Sequence, residues 1–398
     1  MVRKLKNLVH LARAVLSVVF YRYPAGNLCV IGVTGTDGKT TTVHLIGAIL
    51  SQAGFKTATL STLGAYLGDK KISTGFHVTT PDPWVIQKIL RNIADRGFTH
   101  VVLEATSHGL DQHRLLGCNF QVGVLTNITQ EHLDYHKTYQ NYIQAKMKLF
   151  RKVKLAVLNR DDSSFKQALE ICRSRRVKIK SYGVKEADLT PKSFPFKTKL
   201  PGEHNVYNCL AAISVGKYFN IKDGQIRKAV EDFPGLAGRL EEINEGQSFK
   251  VFVDFAHTPA AFSSVLPTAK KMIKGEVIHV FGCTGDRDKS KRAVMGEISG
   301  RLADRIILTH EDNYFEEPEK IIAQIKTGVE KAGKVLGKNY WTILDRRLAI
   351  KMAIEMASKN DAVLLTGVGH QTTLNLKGVE VPWSDKEIAR DVIREKLK

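Results

Sequence analysis

A chain of 398 residues is long enough for two or three domains at roughly 100–200 residues each, and 43% apolar with 25% charged residues excludes a disordered or low-complexity chain. Five scattered cysteines with no CxxC pair exclude a disulfide framework and a cysteine zinc site, and point to a reducing compartment. Sixty Lys and Arg against 40 Asp and Glu give a net charge of +20, enough to attract phosphates or an anionic surface, but the cations are spread along the chain with no long basic arm, so no nucleic-acid partner is expected.

Met1 to Tyr23 begin basic and continue apolar from Leu8 to Tyr21, interrupted by His10 and Arg13. The stretch is too short to span a bilayer, which takes about 20 apolar residues, and no small-residue cleavage pattern follows it. Two readings remain for residues 1–26: a helix packed on the protein's own body, or an interfacial helix turning Lys4, Lys6 and Arg13 to anionic lipid.

Leu28 to Val33 reads as a buried strand, Thr34 to Thr42 as a glycine-rich loop, and the stretch through Leu50 as a helix. Glycines let the backbone approach phosphate, the helix N-terminus adds N–H donors, Lys39 neutralises terminal phosphates and the Thr40 hydroxyl suits Mg²⁺. A strict GxxxxGK[ST] motif would have Gly where this chain has Val33, so the loop is a variant. Gly35, Thr36, Asp37, Gly38, Lys39, Thr40 and Thr41 are the candidate ATP contacts. This variant resembles the ATP loop of the Mur ligases, ATP-dependent amide-forming enzymes of cell-wall synthesis.

The following segments extend the resemblance in order. The turn-rich stretch His77 to Pro83 is similar to a substrate loop of the tripeptide-synthetase branch, which implies Thr79 and Thr80 in acceptor binding. Strand Val101 to Leu103 ends at Glu104, well placed for a nucleotide's Mg²⁺. The continuation to Arg114 resembles the branch's E-x-(S/T)-S-H-x-L-x-Q-x-R segment, implying Glu104 as metal ligand and Ser107, Gln112 and Arg114 as acceptor contacts. On its own chemistry His132 reads as a surface or hydrogen-bonded histidine and Lys146 as a solvated helix residue. The resemblance implies instead that both hold metal, Lys146 as a carbamate, which makes Lys39, His132 and Lys146 the catalytic candidates. Asn205 and Asn208 match a helix start that approaches adenine, though a capped terminus would look the same.

A Pro/Gly-rich break around Leu236 separates residues 27–236 from 237–398. Beyond it, Arg239, the Asp254–Pro259 loop with His257, and Asp345 match the family's nucleotide-side segments, and the Gly282–Asp288 loop with Lys291 and Arg292 matches the family's G-x-x-G-(D/N)-R-D-x-x-K-R segment. The amino-acid segment departs from the family's D-N-P-R or D-N-P-A: Asp312 and Asn313 are followed by Tyr314 and Phe315. An aromatic cannot pair a carboxylate, which disfavours diaminopimelate and leaves lysine, a neutral amino acid or another diamine open. The family's G-K-G-H-E stands here as Gly367 to Gln371, so the amine meets an amide. Asp312, Asn313, Gly367 and Gln371 are the amino-acid candidates.

The expected fold is α/β, a P-loop-type mostly parallel sheet domain followed by a Rossmann-like ligase domain. The implied function is ATP- and Mg²⁺-dependent ligation of a free amino acid to a muramyl-peptide precursor through an acyl phosphate, in the cytoplasm, with a peripheral membrane contact through residues 1–23 as an added expectation. The branch also carries an N-terminal uridine-recognising domain that the chain is expected to lack. Same-fold ligases on lipid-linked, pseudomurein or folylpolyglutamate-like acceptors, and a non-catalytic basic P-loop protein, are the competing readings.

Overall fold

The computed structural model describes residues 2–68, 70–72, 74 and 79–398, with side chains from residue 7 onward. His77 and Val78, ahead of Thr79, lie outside the described residues, as do the side chains of Lys4 and Lys6. The chain forms two compact units, residues 1–200 with 204–234 and residues 201–203 with 235–398.

In the first unit, eight strands form one sheet: β1 (Cys29–Thr34), β2 (Thr57–Ser61), β3 (Gly64–Leu67), β4 (Lys70–Ile72), β5 (His100–Glu104), β6 (Phe120–Leu125), β7 (Leu155–Asn159) and β8 (Lys178–Tyr182). Their order is β4-β3-β2-β5-β1-β6-β7-β8, parallel except for the antiparallel arm β3–β4. The central strands are continuous apolar runs because helices cover both faces of a parallel sheet. Helix α1 (Val2–Phe20) precedes β1, α2 (Lys39–Gln52) follows it, and α3 (Pro83–Asp95) leads into β5. Helix α3 starts where the sequence signals it should: Asp82 accepts from Trp84 N at 3.0 Å, with Pro83 at the first helical position.

The second unit has a six-stranded sheet, β9 (Glu241–Ile243), β10 (Lys250–Val253), β11 (Val277–Phe281), β12 (Arg305–Leu308), β13 (Tyr340–Thr342) and β14 (Ala362–Leu365), in the order β13-β12-β11-β14-β10-β9. Only β9 runs antiparallel. A separate hairpin pairs β15 (Thr373–Leu376) with β16 (Val379–Pro382). Its core contains two fully buried arginines. Arg346 pairs with Asp385 at 2.6 Å, and Arg292 reaches Glu316 at 2.8 Å. None of the five cysteines is in a disulfide.

Candidate active site

The carboxyl ends of β1, β5 and β6 meet at one edge of the first sheet, where open α/β sheets take their ligands. Val33 is in register with Glu104, and Thr34 with Leu125. Those pairings fix the loop after β1 between the segments that follow β5 and β6. Gly35 has φ +153°, and a side chain there would come within 1.8 Å of Thr126 Oγ1. Gly38 has φ +80°, and a Cβ would lie 2.3 Å from Asn208 Oδ1. Both positions need glycine for conformation and for space.

The loop is held by its neighbours without using up its cations. Asn127 Oδ1 accepts from Asp37 N at 2.9 Å, Thr126 Oγ1 donates to Asp37 O at 2.7 Å, and Thr36 Oγ1 lies 3.1 Å from Tyr142 OH. Lys39 Nζ donates to Thr36 O, and Lys146 Nζ to Gly35 O, each at 2.6 Å. These contacts are to neutral carbonyls, so the Lys39 charge is not cancelled by a bonded carboxylate. Lys146 is buried, and its ammonium lies 4.3 Å from the Tyr142 ring centre. Burial first, and the neighbouring Lys39 charge second, hold its pKa well below the ordinary lysine value. Thr40 and Thr41 sit in the first turn of α2, where the backbone N–H groups and the helix dipole favour phosphate. Asn208 braces the loop from behind: its Oδ1 accepts from Thr42 Oγ1 at 3.3 Å, while its Nδ2 donates to Asn205 at 2.9 Å.

The acceptor candidates converge on Glu104. Its buried carboxylate accepts from Thr62 N at 3.0 Å and Thr62 Oγ1 at 3.3 Å, and Thr62 Oγ1 is 3.0 Å from Thr79 Oγ1. Thr80 Oγ1 donates to Glu104 O at 3.2 Å and accepts from Thr106 Oγ1 at 2.9 Å. Arg114 donates to Thr80 O at 2.7 Å and, through Nε and Nη2, to Gln112 Oε1 at 2.9 and 2.6 Å. Ser107 Oγ lies 3.0 Å from His136 Nε2. His132 has φ +56° and packs its ring 4.8 Å from that of His108.

Among the described residues, no three His, Cys, Asp or Glu side chains form a metal-holding group. The donors nonetheless suit Mg²⁺, which keeps several waters and needs one or two carboxylates beside substrate phosphates. Thr40 and Glu104 offer oxygens. Lys146 offers one only as a carbamate, which forms from the neutral amine, the form that burial favours.

In the second unit, Arg239 stacks 4.8 Å from the Phe255 ring, and His257 Nδ1 lies 2.7 Å from Phe255 O. Asp254 accepts from Leu240 N and Ala256 N, both at 2.6 Å, so its carboxylate shapes the loop that carries these residues. Lys291 donates to His257 O at 2.8 Å. Asp345 caps the helix Arg346–Met356, accepting from Leu348 N at 3.1 Å. Beyond β12, Asp312 accepts from Asn375 N at 2.8 Å and Gln371 Nε2 at 3.4 Å, and Asn313 Nδ2 donates to Glu316 O at 3.2 Å.

Sequence reasoning missed Glu311. It is buried, and Thr284 Oγ1 donates to its Oε1 at 2.6 Å, while Oε2 has no hydrogen-bond partner. That oxygen lies 2.3 Å from where a Cβ on Gly367 would stand, which excludes any side chain at Gly367. Burial and the neighbouring Asp312 raise the Glu311 pKa. The available signal was an acid directly before Asp312 at a strand's carboxyl end. Phe315 is 79% exposed and covers Gly378, so the position expected to bear on a distal carboxylate offers it no charge.

Residues 33–216 match the Mur ligase middle domain, and residues 238–369 match the Mur ligase glutamate ligase domain. The UDP-N-acetylmuramoyl-L-alanyl-D-glutamate–2,6-diaminopimelate ligase 2 of Clostridium acetobutylicum is 38% identical, over 98% of this chain and 83% of that protein. The UDP-N-acetylmuramyl-tripeptide synthetase of a Roseiflexus species is 36% identical, over 96% and 82%. A solved UDP-N-acetylmuramoyl-L-alanyl-D-glutamate–2,6-diaminopimelate ligase structure aligns at 32% identity and TM-score 0.63, covering 93% of this chain and 79% of that one. The folylpolyglutamate synthase of Mycobacterium tuberculosis shares the fold at TM-score 0.71 with 17% identity. On this identity and coverage, the chain belongs to the Mur ligase family.

Proposed function

We propose that this chain is an ATP-dependent carbon–nitrogen ligase that adds one amino acid to the terminal carboxylate of a muramyl-peptide precursor, UDP-MurNAc-L-Ala-D-Glu or a related acceptor, in cytoplasmic peptidoglycan synthesis. The observation that carries this reading is the continuous network from Glu104 through Thr62 to Thr79, and from Glu104 O through Thr80 to Arg114. The acid proposed to hold metal and the acceptor candidates are linked to the sheet edge that carries the phosphate loop, which supports this reading. The names of the relatives support the same substrate class.

In this reading residues 27–236 hold ATP and the acceptor, and residues 237–398 hold the amino acid. Gly35, Thr36, Asp37, Gly38 and Thr41 cradle the phosphates, and Lys39 binds the γ-phosphate as it passes to the acceptor carboxylate, giving an acyl phosphate and ADP. Mg²⁺, when bound, supplies charge neutralisation at the phosphates. Thr40, Glu104, His132 and a carbamylated Lys146 are the residues proposed to hold it. Thr79, Thr80, Ser107, Gln112 and Arg114 orient the acceptor, with Arg114 prepared for an anionic group. Asn205, Asn208, Arg239, Asp254, His257 and Asp345 are the further nucleotide-side candidates. Asp312, Asn313, Gly367 and Gln371, joined by Glu311, hold the incoming amine, which attacks the acyl carbon, loses a proton and expels phosphate.

Diaminopimelate is a poor donor in this reading, because Phe315 offers its distal carboxylate no cation. The enzyme is also proposed to work against the inner face of the membrane, through residues 1–23. Mass spectrometry of products from purified protein, ATP, Mg²⁺, UDP-MurNAc-L-Ala-D-Glu and a panel of amino acids tests the reaction. One mass increment identifies the donor; intact acceptor and intact ATP throughout would refute this acceptor. A carbamate carbon signal from ¹³C-bicarbonate, absent in Lys146→Arg, tests the modification.

A further inference from the structure

Helix α1 is amphipathic in the inverted sense for a helix lying on a protein. Its inward side is small: Ala14 and Ser17 are fully buried, and Val18 packs on Gly117, where a Cβ would approach Val18 Cγ2 to 2.6 Å. Its outward side carries Leu8, Ala12, Val15 and Val19 at i, i+4, i+7 and i+11, with Val9, Leu16 and Phe20 beside them, all exposed. At about 100° per residue these seven span roughly 140° of the circumference. Leu8, Leu16, Val19 and Phe20 are each exposed by 60% or more, from 60% at Leu16 to 70% at Val19. A helix that only had to pack on the body would turn these side chains inward and leave Ala and Ser outside.

Six of the eighteen exposed large apolar residues among the described ones stand on this helix, so the patch is a local concentration rather than the ordinary scatter of a protein surface. The chemistry around it selects an occupant. The helix contains Arg3, Lys4, Lys6 and Arg13 and no acid, on a chain of net charge +20. At its C-terminal end Phe20 and Tyr21 contact Trp84, with ring centres 5.4 and 6.1 Å away, and Tyr23 is exposed; amphipathic aromatics of this kind sit at headgroup depth. No described helix is long and apolar enough to cross a membrane, and α1 is held to the first unit at Asn7, Arg13, Ala14, Ser17 and Val18, so the patch presents itself as a fixed surface.

We propose that the outward face of α1 docks in the plane of an anionic lipid bilayer, its apolar stripe entering the acyl boundary while the basic start of the chain and the Phe20–Trp84 cluster meet the headgroups. This deepens the membrane contact of the reading above and gives it a consequence. The helix's attachments are to the acceptor segments: Asn7 Nδ2 donates to Asp111 O at 3.4 Å, next to Gln112, and Arg13 pairs with Asp82 at 3.0 Å, two residues after Thr80. Docking therefore holds the proposed acceptor side at the lipid surface.

The test is co-sedimentation of the full chain with vesicles of phosphatidylglycerol and phosphatidylcholine, and with phosphatidylcholine alone, for the wild type and a Leu8→Gln/Leu16→Gln/Val19→Gln variant. The wild type is expected to pellet with anionic vesicles, more weakly at high salt, and at least ten-fold less with neutral ones. The variant is expected to lose at least ten-fold in anionic partition while keeping its melting temperature, since the three positions are already exposed. Wild type that stays in the supernatant, or a variant that pellets equally, overturns the proposal. Sedimentation velocity covers the competing occupant: a dimer abolished by the substitutions, without vesicle binding, would assign the face to a second copy and overturn it too. Ligation of the soluble UDP-linked acceptor is measured in parallel. It should be equal in both proteins, and its absence in both would strike the proposed reaction while vesicle binding still judged this surface.

Discussion

The sheet edges of the two units handle charge in opposite ways. In the first, the loop's cation, Lys39, rests on a backbone carbonyl, as does the buried Lys146 amine beside it. In the second, the buried cations are already neutralised: Arg292 by Glu316, whose carboxyl is held down to about 2 mainly by that contact, and Arg346 by Asp385. Beside the amino-acid candidate Asp312 stands a further buried acid, Glu311, with one oxygen unpartnered. The phosphate loop thus sets the Lys39 cation on a neutral carbonyl, while in the amino-acid segment the carboxylates of Glu311 and Asp312 accept from neutral hydroxyl, amide and backbone N–H donors. Two similar α/β sheets acquire complementary chemistry through which of their charges are bonded to opposite charges.

The strongest way to break this contrast is to remove a cation from each unit. Lys39→Ala is expected to lower ligation at least about a thousand-fold with an unchanged melting temperature, because the charge it supplies is used on phosphate rather than on the fold. Arg292→Ala should do the reverse in kind, costing about 1.5–3 kcal/mol of stability by removing the buried charged hydrogen bonds to Glu316, Gln324 and Thr284 O. Steady-state rates beside denaturant titrations check both, and a Lys39→Ala protein that unfolds early would sink the comparison. Next in size, Glu311→Gln is expected to reduce kcat/KM for the amino acid about 10- to 100-fold with little change in KM for ATP, consistent with loss of about 1.5–3 kcal/mol from a hydrogen bond to a charged group. Equal kcat/KM values would show that the orphan oxygen faces nothing in turnover. Phe315→Arg places a cation on the exposed side of the same loop. It should raise use of diaminopimelate relative to lysine about ten-fold in a competition assay, and no change in that ratio would remove Phe315 from donor selection.

Local signals carried much of the first edge. The strand, the two glycines and the helix start lie within one short stretch, and a carboxylate ending an apolar strand marks Glu104. What lay beyond the sequence was long-range. Asn208 occupies the space behind Gly38 from 170 positions away, and its place there depends on how a distant helix packs. The hairpin β15–β16 orients Asp312 through Asn375 N and bridges Tyr314 to Leu376, yet nothing in its short strands announces that task. In α1, periodicity shows a face without saying whether it points in or out; only the packing of Ala14 and Ser17 decides it. The outcome for the two readings of that helix is that it does pack on the body, and does so with its smaller side.

The smallest effect concerns the interior of the second unit, where a third kind of charge handling appears. His279 is fully buried, with Nδ1 2.8 Å from Ser299 Oγ, Nε2 2.9 Å from Thr366 Oγ1, and the Phe281 ring stacked at 4.6 Å. Burial, with a smaller contribution from the Arg346 charge, holds its pKa down to about 3. Above the unfolded value of about 6.5 the ring is neutral in both states and its contribution to stability is complete. As pH falls from about 6.5 toward 3, the unfolded chain takes up a proton that the folded chain refuses, and stability declines by about 1.4 kcal/mol per pH unit. The loss reaches about 2 kcal/mol by pH 5. His279→Gln starts from a lower stability but lacks this proton, so its curve between pH 7.5 and 5 should be flatter by that amount. Denaturant melts across that range measure the two slopes, and parallel slopes would mean that the ring is protonated inside the fold, against the charge of Arg346 and without the neutral network that now surrounds it.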